Sequence, residues 1–229
     1  MPELSVIIPA WNEAAYLPDT LQTLQDSLCA CRLEADIIVV DNASTDATAA
    51  IAAGAGARVV HEPEHRIARV RNAGAEAAAS DWLLFVDADT RVTPAALQAM
   101  RAAMDEGCVG GGAPIGFDRL ESAPQRLGLA AWNGLSRRLR LAAGCFVFAR
   151  AAAHAAIGGF SEQLYAGDEI GYSRRLYRLG RPLGRRFIIL DCPPVISSAR
   201  QMDWFRPWQH SLVLATFVLS PWAGRVKRL

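Results

Sequence analysis

No C-x-x-C pair occurs in the chain, and its five cysteines (Cys29, Cys31, Cys108, Cys145 and Cys192) are odd in number and scattered. This excludes a zinc ribbon or a disulfide framework and leaves reduced thiols, the state expected of a cytoplasmic protein. Net charge is also missing: 24 Lys and Arg stand against 23 Asp and Glu, a balance of +1. A near-neutral total gives no electrostatic reason to expect nucleic acid as a partner. No apolar run reaches the roughly 20 residues that span a bilayer. The N-terminus opens on a strand-like segment and does not read as a secretory signal. Linkers and low-complexity tracts are absent too, so 1–229 reads as one domain. At 52% hydrophobic and 21% charged residues, that domain can bury a sizeable core.

What is present is an alternation. Leu4–Pro9 is an apolar run that its proline should stop. Residues 13–28 then carry Tyr16, Leu17, Leu21, Leu24 and Leu28 at helical spacing. Ile37–Val40 is β-branched, and the cluster 41–46 supplies turn residues and a cap for an alanine-rich helix at 47–53. Arg58–Val60 reads as a strand, 67–79 as a helix and 82–86 as a strand. Strands alternating with helices over some 90 residues predict a mostly parallel sheet covered on both faces. Ligands bind such sheets at the carboxyl ends of the strands, where the polar loops 9–13, 41–46 and 87–90 fall.

The run Leu83–Val86 ends in Asp87-Ala88-Asp89. Residues i and i+2 of a strand share a side, so the two carboxylates are expected to converge. Close anions repel unless a cation joins them or one of them is protonated. Mg²⁺ or Mn²⁺ suits such oxygens, with substrate phosphates completing the shell. D-x-D alone is more often an acidic turn after a strand; its surroundings reverse that order in favour of the metal–diphosphate site.

The second half is less regular. A helix is expected over 94–104 with Pro94 in its first turn, a strand from Val109, an amphipathic helix over 126–141 and a strand at 146–148. Then come a loop at 158–160, a helix over 169–179 closed by Gly180, and a strand at 187–190. The chain accordingly divides into a regular α/β half (1–105), which the resemblance given below assigns to the nucleotide sugar, a less regular half (106–200), which it assigns to the acceptor, and an apolar, basic helical tail (201–229). The tail fits a membrane-interface helix over 204–229, a helix docked on the core, or a homodimer contact. His210, alone among Trp208 and Leu212, has the surroundings of a packed histidine rather than a ligand.

Four motifs in order carry a resemblance: Ser5–Glu13, Val40–Asp46, Arg71-Asn72-Ala73-Gly74 and Phe85–Asp89. A fifth joins Gly158–Glu162 to Gly167-Asp168-Glu169. Together they resemble the family 2 glycosyltransferases, which have the GT-A fold, a Rossmann-like three-layer sandwich with a mostly parallel central sheet. The resemblance implies a UDP- or GDP-linked sugar as donor, a hydroxyl acceptor, Mn²⁺ or Mg²⁺, and inversion at the anomeric carbon. It implies that Pro9, Ala10 and Trp11 wall the nucleobase pocket, Glu13 binds ribose hydroxyls and Asp41 the base edge, with Asn42 shaping the loop. Arg71, with Arg69 as an auxiliary, reaches the diphosphate; Arg200, after Ser197-Ser198-Ala199, is a further phosphate clamp. Asp89 ligates metal, and Asp87 binds ribose or metal.

One departure stands out. The family carries a Glu-Asp pair before a helix, with the Asp as base; this chain has Asp168-Glu169. Counting back from Ser173-Arg174-Arg175-Leu176 aligns Glu169 with the base, with Asp168 as the alternative. An inactive nucleotide-sugar-binding protein and a sugar nucleotidyltransferase are the other readings. The second needs a glycine-rich loop after the first strand, where Pro9-Ala10-Trp11-Asn12-Glu13 has no glycine. The enzyme is expected in the cytoplasm, at the inner face of the membrane if the tail binds lipid.

Overall fold

The computed structural model describes residues 2–163 and 167–200; the tail at 201–229, for which a helix and a membrane, core or dimer contact are expected and which holds His210, lies outside the described residues. The first 92 residues alternate as read. β1 (Leu4–Ala10), α1 (Leu17–Cys31), β2 (Ala35–Asp41), α2 (Thr48–Gly54) and β3 (Arg58–His61) are followed by α3 (Ile67–Ala77), β4 (Trp82–Val86) and β5 (Thr90–Arg91). After α4 (Pro94–Asp105) come β6 (Gly110–Gly112), β7 (Ile115–Phe117), α5 (Ala123–Leu139), β8 (Phe146–Arg150) and α6 (Ala151–Ala156). The described elements close with α7 (Asp168–Gly180), a 3₁₀ turn (Arg181–Leu183), β9 (Phe187–Ile189) and β10 (Val195–Ser197).

Seven strands form one sheet in the order β3-β2-β1-β4-β8-β6-β9. β3, β2, β1 and β4 are parallel; β8 runs antiparallel between β4 and β6, and β9 is parallel to β6. Strand alternation sorts the core into two layers. Val6, Ile8, Leu84 and Val86 pack under α1 and α4, where Leu17, Leu21, Leu24, Leu28, Leu97 and Met100 are buried. Ile7, Val40, Leu83 and Phe85 face α3 and α7 and meet Val70, Tyr172 and Leu176. Each such leucine or phenylalanine contributes roughly 1.5–3 kcal/mol by leaving water. Helices on both faces of a mostly parallel sheet make the expected three-layer sandwich.

Several local readings change. Pro9 does not stop β1, which runs on to Ala10. Pairing with β4 ends at Ile7↔Phe85, so beyond it β1 has a neighbour only in β2 and the missing N–H costs little. Gly180 does not close α7 in a left-handed conformation; the helix tightens into the 3₁₀ turn, and Gly184 takes that role at φ 67°. Close approach explains Gly180 instead, since a Cβ there would lie 2.4 Å from the Arg185 carbonyl oxygen. The expected start of α4 holds: the Thr93 hydroxyl accepts the Ala96 N–H at 3.2 Å, with Pro94 in the first turn. β6 consists of three glycines pressed between β8 and β9; a Cβ on Gly111 would sit 2.3 Å from the Ile188 carbonyl oxygen.

A second sheet, β5-β10-β7, crosses the carboxyl edge of the first. β10 is antiparallel to β5, with Ser197 opposite Thr90, and parallel to β7. This pairing brings the last described residues, more than a hundred positions away in sequence, against the loop that follows β4.

Candidate active site

β4 is buried throughout, and its inner residues alternate between the layers. Phe85 faces α3 and α7, so Asp87, two positions on, turns toward the same helices. The strand has ended by Asp89. A turn closed by the Thr90 N–H to the Asp87 carbonyl oxygen (3.0 Å) swings Asp89 toward β10. The carboxylates therefore enter one cavity from different directions, rather than as neighbours on one strand face. That cavity has a volume of about 610 Å³, the size of a small-molecule site. Pro9, Ala10, Trp11 and Glu13 line one side, Asp87 and Asp89 the base, Ala143–Cys145 and Gly167–Glu169 the far side, and Ser197, Ser198 and Arg200 the rim.

Asp89 is nearly enclosed, its side chain 5% exposed. Its Oδ1 accepts the Ser197 hydroxyl at 3.3 Å, and its Oδ2 lies 3.0 Å from Arg200 Nε. Burial, and then the charge on Asp87, push the Asp89 carboxyl up to about 6, with Arg200 offsetting part of the shift. The base of the cavity thus carries an excess of negative charge offered by hard oxygen donors. Among the described residues no three His, Cys, Asp or Glu side chains close around a single metal position. The donor set fits Mg²⁺ or Mn²⁺ of the kind that takes one or two carboxylates and completes its shell from phosphate and water. Glu13 supplies a further observation: its Oε2 is buried without a hydrogen-bond partner while its Oε1 bonds Arg200.

Arg71 spans the cavity base. Its side chain is 5% exposed, with Nη2 3.1 Å from Asp87 Oδ1 and Nη1 3.2 Å from Asp168 Oδ2. Nη2 also donates to the Gly144 carbonyl oxygen at 3.3 Å, and the guanidinium stands 5.2 Å from the Phe160 ring centre. Burial alone would make this guanidinium less basic; the charges on Asp168 and Asp87 more than reverse that, and Arg71 stays protonated. Asp168, at the first turn of α7, is buried and committed to this ion pair. Its neighbour Glu169 lines the cavity. Burial first, and then the charge on Asp168, raise the Glu169 carboxyl well above the ordinary glutamate range. Both adjacent carboxylates line the cavity, yet they differ: Asp168 is locked to a cation, while Glu169 holds its proton more tightly.

The remaining candidates divide. Trp11 is 57% exposed at the cavity side and meets His65 edge-on at 5.3 Å. Asn42 lines the cavity but spends its amide donors on the Glu62 and Glu64 carbonyl oxygens, at 2.6 and 2.9 Å. Asp41 is buried outside the lining; one oxygen accepts the Ser44 N–H at 3.3 Å and the other lies 3.5 Å from His61 Nδ1. Arg69 also stands outside it, paired with Glu62 at 3.1 Å and Glu162 at 3.8 Å. Two positioning groups had no role assigned from sequence. The Ser197 hydroxyl holds Asp89. Asn72 donates to the Phe160 carbonyl oxygen at 3.0 Å and accepts the Phe160 N–H at 2.8 Å, pinning the acceptor-side segment to α3. Asn72 belongs to the Arg71–Gly74 motif, the one signal in the sequence that marked it.

Comparison with known proteins bears on the family and the fold. The model of the family "Glycosyl transferase family 2" matches residues 5–158. An uncharacterized glycosyltransferase of Mycobacterium tuberculosis is 35% identical over 104 residues, 45% of this chain and 44% of that protein. Validoxylamine A glucosyltransferase of Streptomyces hygroscopicus subsp. jinggangensis is 34% identical over 109 residues, 45% of this chain and 26% of the relative. The chain thus spans less than half the length of these curated relatives. Among solved structures, S. aureus TarS 1–349 in complex with UDP-GlcNAc superposes with a TM-score of 0.67 at 20% identity, covering 86% of this chain and 58% of that one. The mannosyltransferase PcManGT from Pyrobaculum calidifontis, in complex with GDP-Man and Mn²⁺, gives 0.65 at 18% identity, covering 86% and 57%. At such identities these structures speak for the fold, while the family match extends over most of the chain and through the D-x-D loop. The chain belongs to glycosyl transferase family 2.

Proposed function

We propose that this protein transfers a sugar from a nucleoside-diphosphate sugar to an acceptor hydroxyl, with inversion at the anomeric carbon and with a divalent metal. The observation that carries the reading is the meeting of two carboxylate pairs, 87/89 and 168/169, in one cavity. UDP- or GDP-linked donors are the first candidates, because structures of the same fold bind UDP-GlcNAc and GDP-Man. Pro9, Ala10 and Trp11 would then border the base. Glu13 would take ribose hydroxyls on its unpartnered oxygen, and Asp41 would act from behind the lining.

Asp89, with Asp87, would hold Mg²⁺ or Mn²⁺, and the bound ion would stabilise the negative charge building on the departing diphosphate. Arg200, on the rim, presents a fork suited to phosphate oxygens. On the opposite side Glu169 takes the proton of the attacking hydroxyl. A base that titrates near neutral pH serves this step well, and the raised Glu169 carboxyl meets that requirement. Asp168 cannot serve equally, because Arg71 holds it. Attack from the face opposite the diphosphate inverts the anomeric centre.

The test is release of UDP or GDP from a panel of donor sugars with Mn²⁺, measured for the parent and for Glu169→Gln. Slow metal-dependent release by the parent, and donor binding without transfer by the variant, are expected. Metal-dependent binding with no release from any donor would instead favour a nucleotide-sugar-binding protein.

A further inference from the structure

Arg200 makes three contacts that meet at the proposed metal position. Nε lies 3.0 Å from Asp89 Oδ2, Nη2 donates to Glu13 Oε1, and the guanidinium stands 4.7 Å from the centre of the Tyr16 ring. The Ser197 hydroxyl occupies the other Asp89 oxygen. Both partners are enclosed, with side chains 5% and 12% exposed for Asp89 and Glu13. Arg200 is more open at 29% and lines the cavity. A guanidinium in this place already supplies the positive charge that the carboxylates require.

We infer that Arg200 is the resident counter-cation of the metal position, and that it must leave Asp89 before that carboxylate can ligate a divalent ion. The inference rests on the metal-dependent reading of the site and adds an exchange to it. Two cations cannot share the Asp89 Oδ2 edge without repelling each other. The displaced guanidinium needs a new anion, and a diphosphate suits its planar fork. The Tyr16 ring offers a face on which the guanidinium can turn while remaining desolvated. Metal alone therefore has to expel Arg200 without giving it a partner. Metal with a nucleoside diphosphate gives it one, so each ligand strengthens the other by a linkage that passes through this side chain.

The decisive measurement is Mn²⁺ binding without nucleotide, followed by electron paramagnetic resonance, in the full chain and in Arg200→Met. UDP and GDP titrations in saturating Mn²⁺ run beside it, and a melting curve reports that the variant is folded. Loss of the competing cation tightens Mn²⁺ alone by about tenfold, while nucleotide binding weakens by a similar factor, within the range of ordinary site coupling. Arg200→Lys, which keeps the charge but lacks the planar fork, gives a smaller gain in the same direction and serves if Arg200→Met does not fold. Unchanged or weaker Mn²⁺ binding in a folded variant, with nucleotide binding reduced, reduces Arg200 to a phosphate clamp and overturns the inference. Absence of Mn²⁺ binding by the parent, even with UDP or GDP, overturns the metal-dependent reading and the inference with it.

Discussion

Removing Arg71 puts the geometry of the cavity base at risk in a measurable way. Arg71→Met keeps the length and apolar stem of the side chain but deletes the charge between Asp87 and Asp168. The Asp168 side chain is 2% exposed, so it loses its counter-cation without gaining water. Breaking a buried pair from one side costs about 3–5 kcal/mol. Asp87, 32% exposed, can recover hydration, and its share is about 1 kcal/mol or less. For a chain of this size each kcal/mol moves the midpoint by about 2–4 °C, so a fall of roughly 6–20 °C is expected. Scanning calorimetry or urea unfolding at pH 7.5 reads it directly. Arg71 is more basic than usual and protonated at every accessible pH, so it adds no pH slope to the parent. In the variant the deficit shrinks on acidification, because a protonated carboxyl needs no cation. The control is Arg71→Met with Asp168→Asn: with no buried charge left to orphan, most of the loss returns. A single variant within 1 kcal/mol of the parent, or a double variant no more stable than the single, refutes the ion-pair account.

Other outcomes follow from the same structure. Glu169→Gln should lower transfer by about 10²–10⁴-fold while leaving donor affinity intact. Because that carboxyl is raised in the folded state, parent turnover should climb with pH through neutrality, and the variant's profile should lose this limb. The same shift makes the parent lose stability as pH rises from the ordinary glutamate value through the folded one; melting curves of Glu169→Gln should lack that slope. Asp89→Ala should abolish the thermal stabilisation that Mn²⁺ gives with UDP or GDP. In the parent that stabilisation should fade as pH falls through about 6, where Asp89 takes up its proton; a metal effect that survives in Asp89→Ala removes this residue from the ligand set. Gly74→Ala should cost about 1–3 kcal/mol in urea unfolding, since its Cβ would stand 2.3 Å from Ile7 Cγ2 and 2.9 Å from Val40 Cγ2.

The centre of the large sheet was legible because β1 and β4 are buried throughout, and β2 over its last four residues, so that they read as apolar runs between helical periods. The second sheet was not. β5 has two residues and β7 and β10 three each, too short for a period-2 pattern to emerge. Without that sheet, nothing local says that Ser197 and Arg200 reach Asp89. Arg71 could be marked as an active-site arginine, but its tie to Asp168 crosses 97 positions and depends on how α7 packs against α3. For the same reason the sequence separates Asp168 from Glu169 only by counting back from 173–176, while in the fold the ion pair to Arg71 sets Asp168 apart. Asp41 shows the reverse case: its polar loop marks the correct sheet edge, while the turn to Ser44 decides that its carboxylate sits behind the lining.

The strand made of three glycines has a consequence for how this protein can change. With no side chains, Gly110–Gly112 couples β8 to β9 through main-chain hydrogen bonds alone, and neighbouring atoms fill the volume any substituent would need. Libraries built here should therefore yield almost no survivors, at the seam where β8 hands the sheet on to β9. Sequence change would have to bypass this seam and accumulate in the exposed helix α5 and the loops around it.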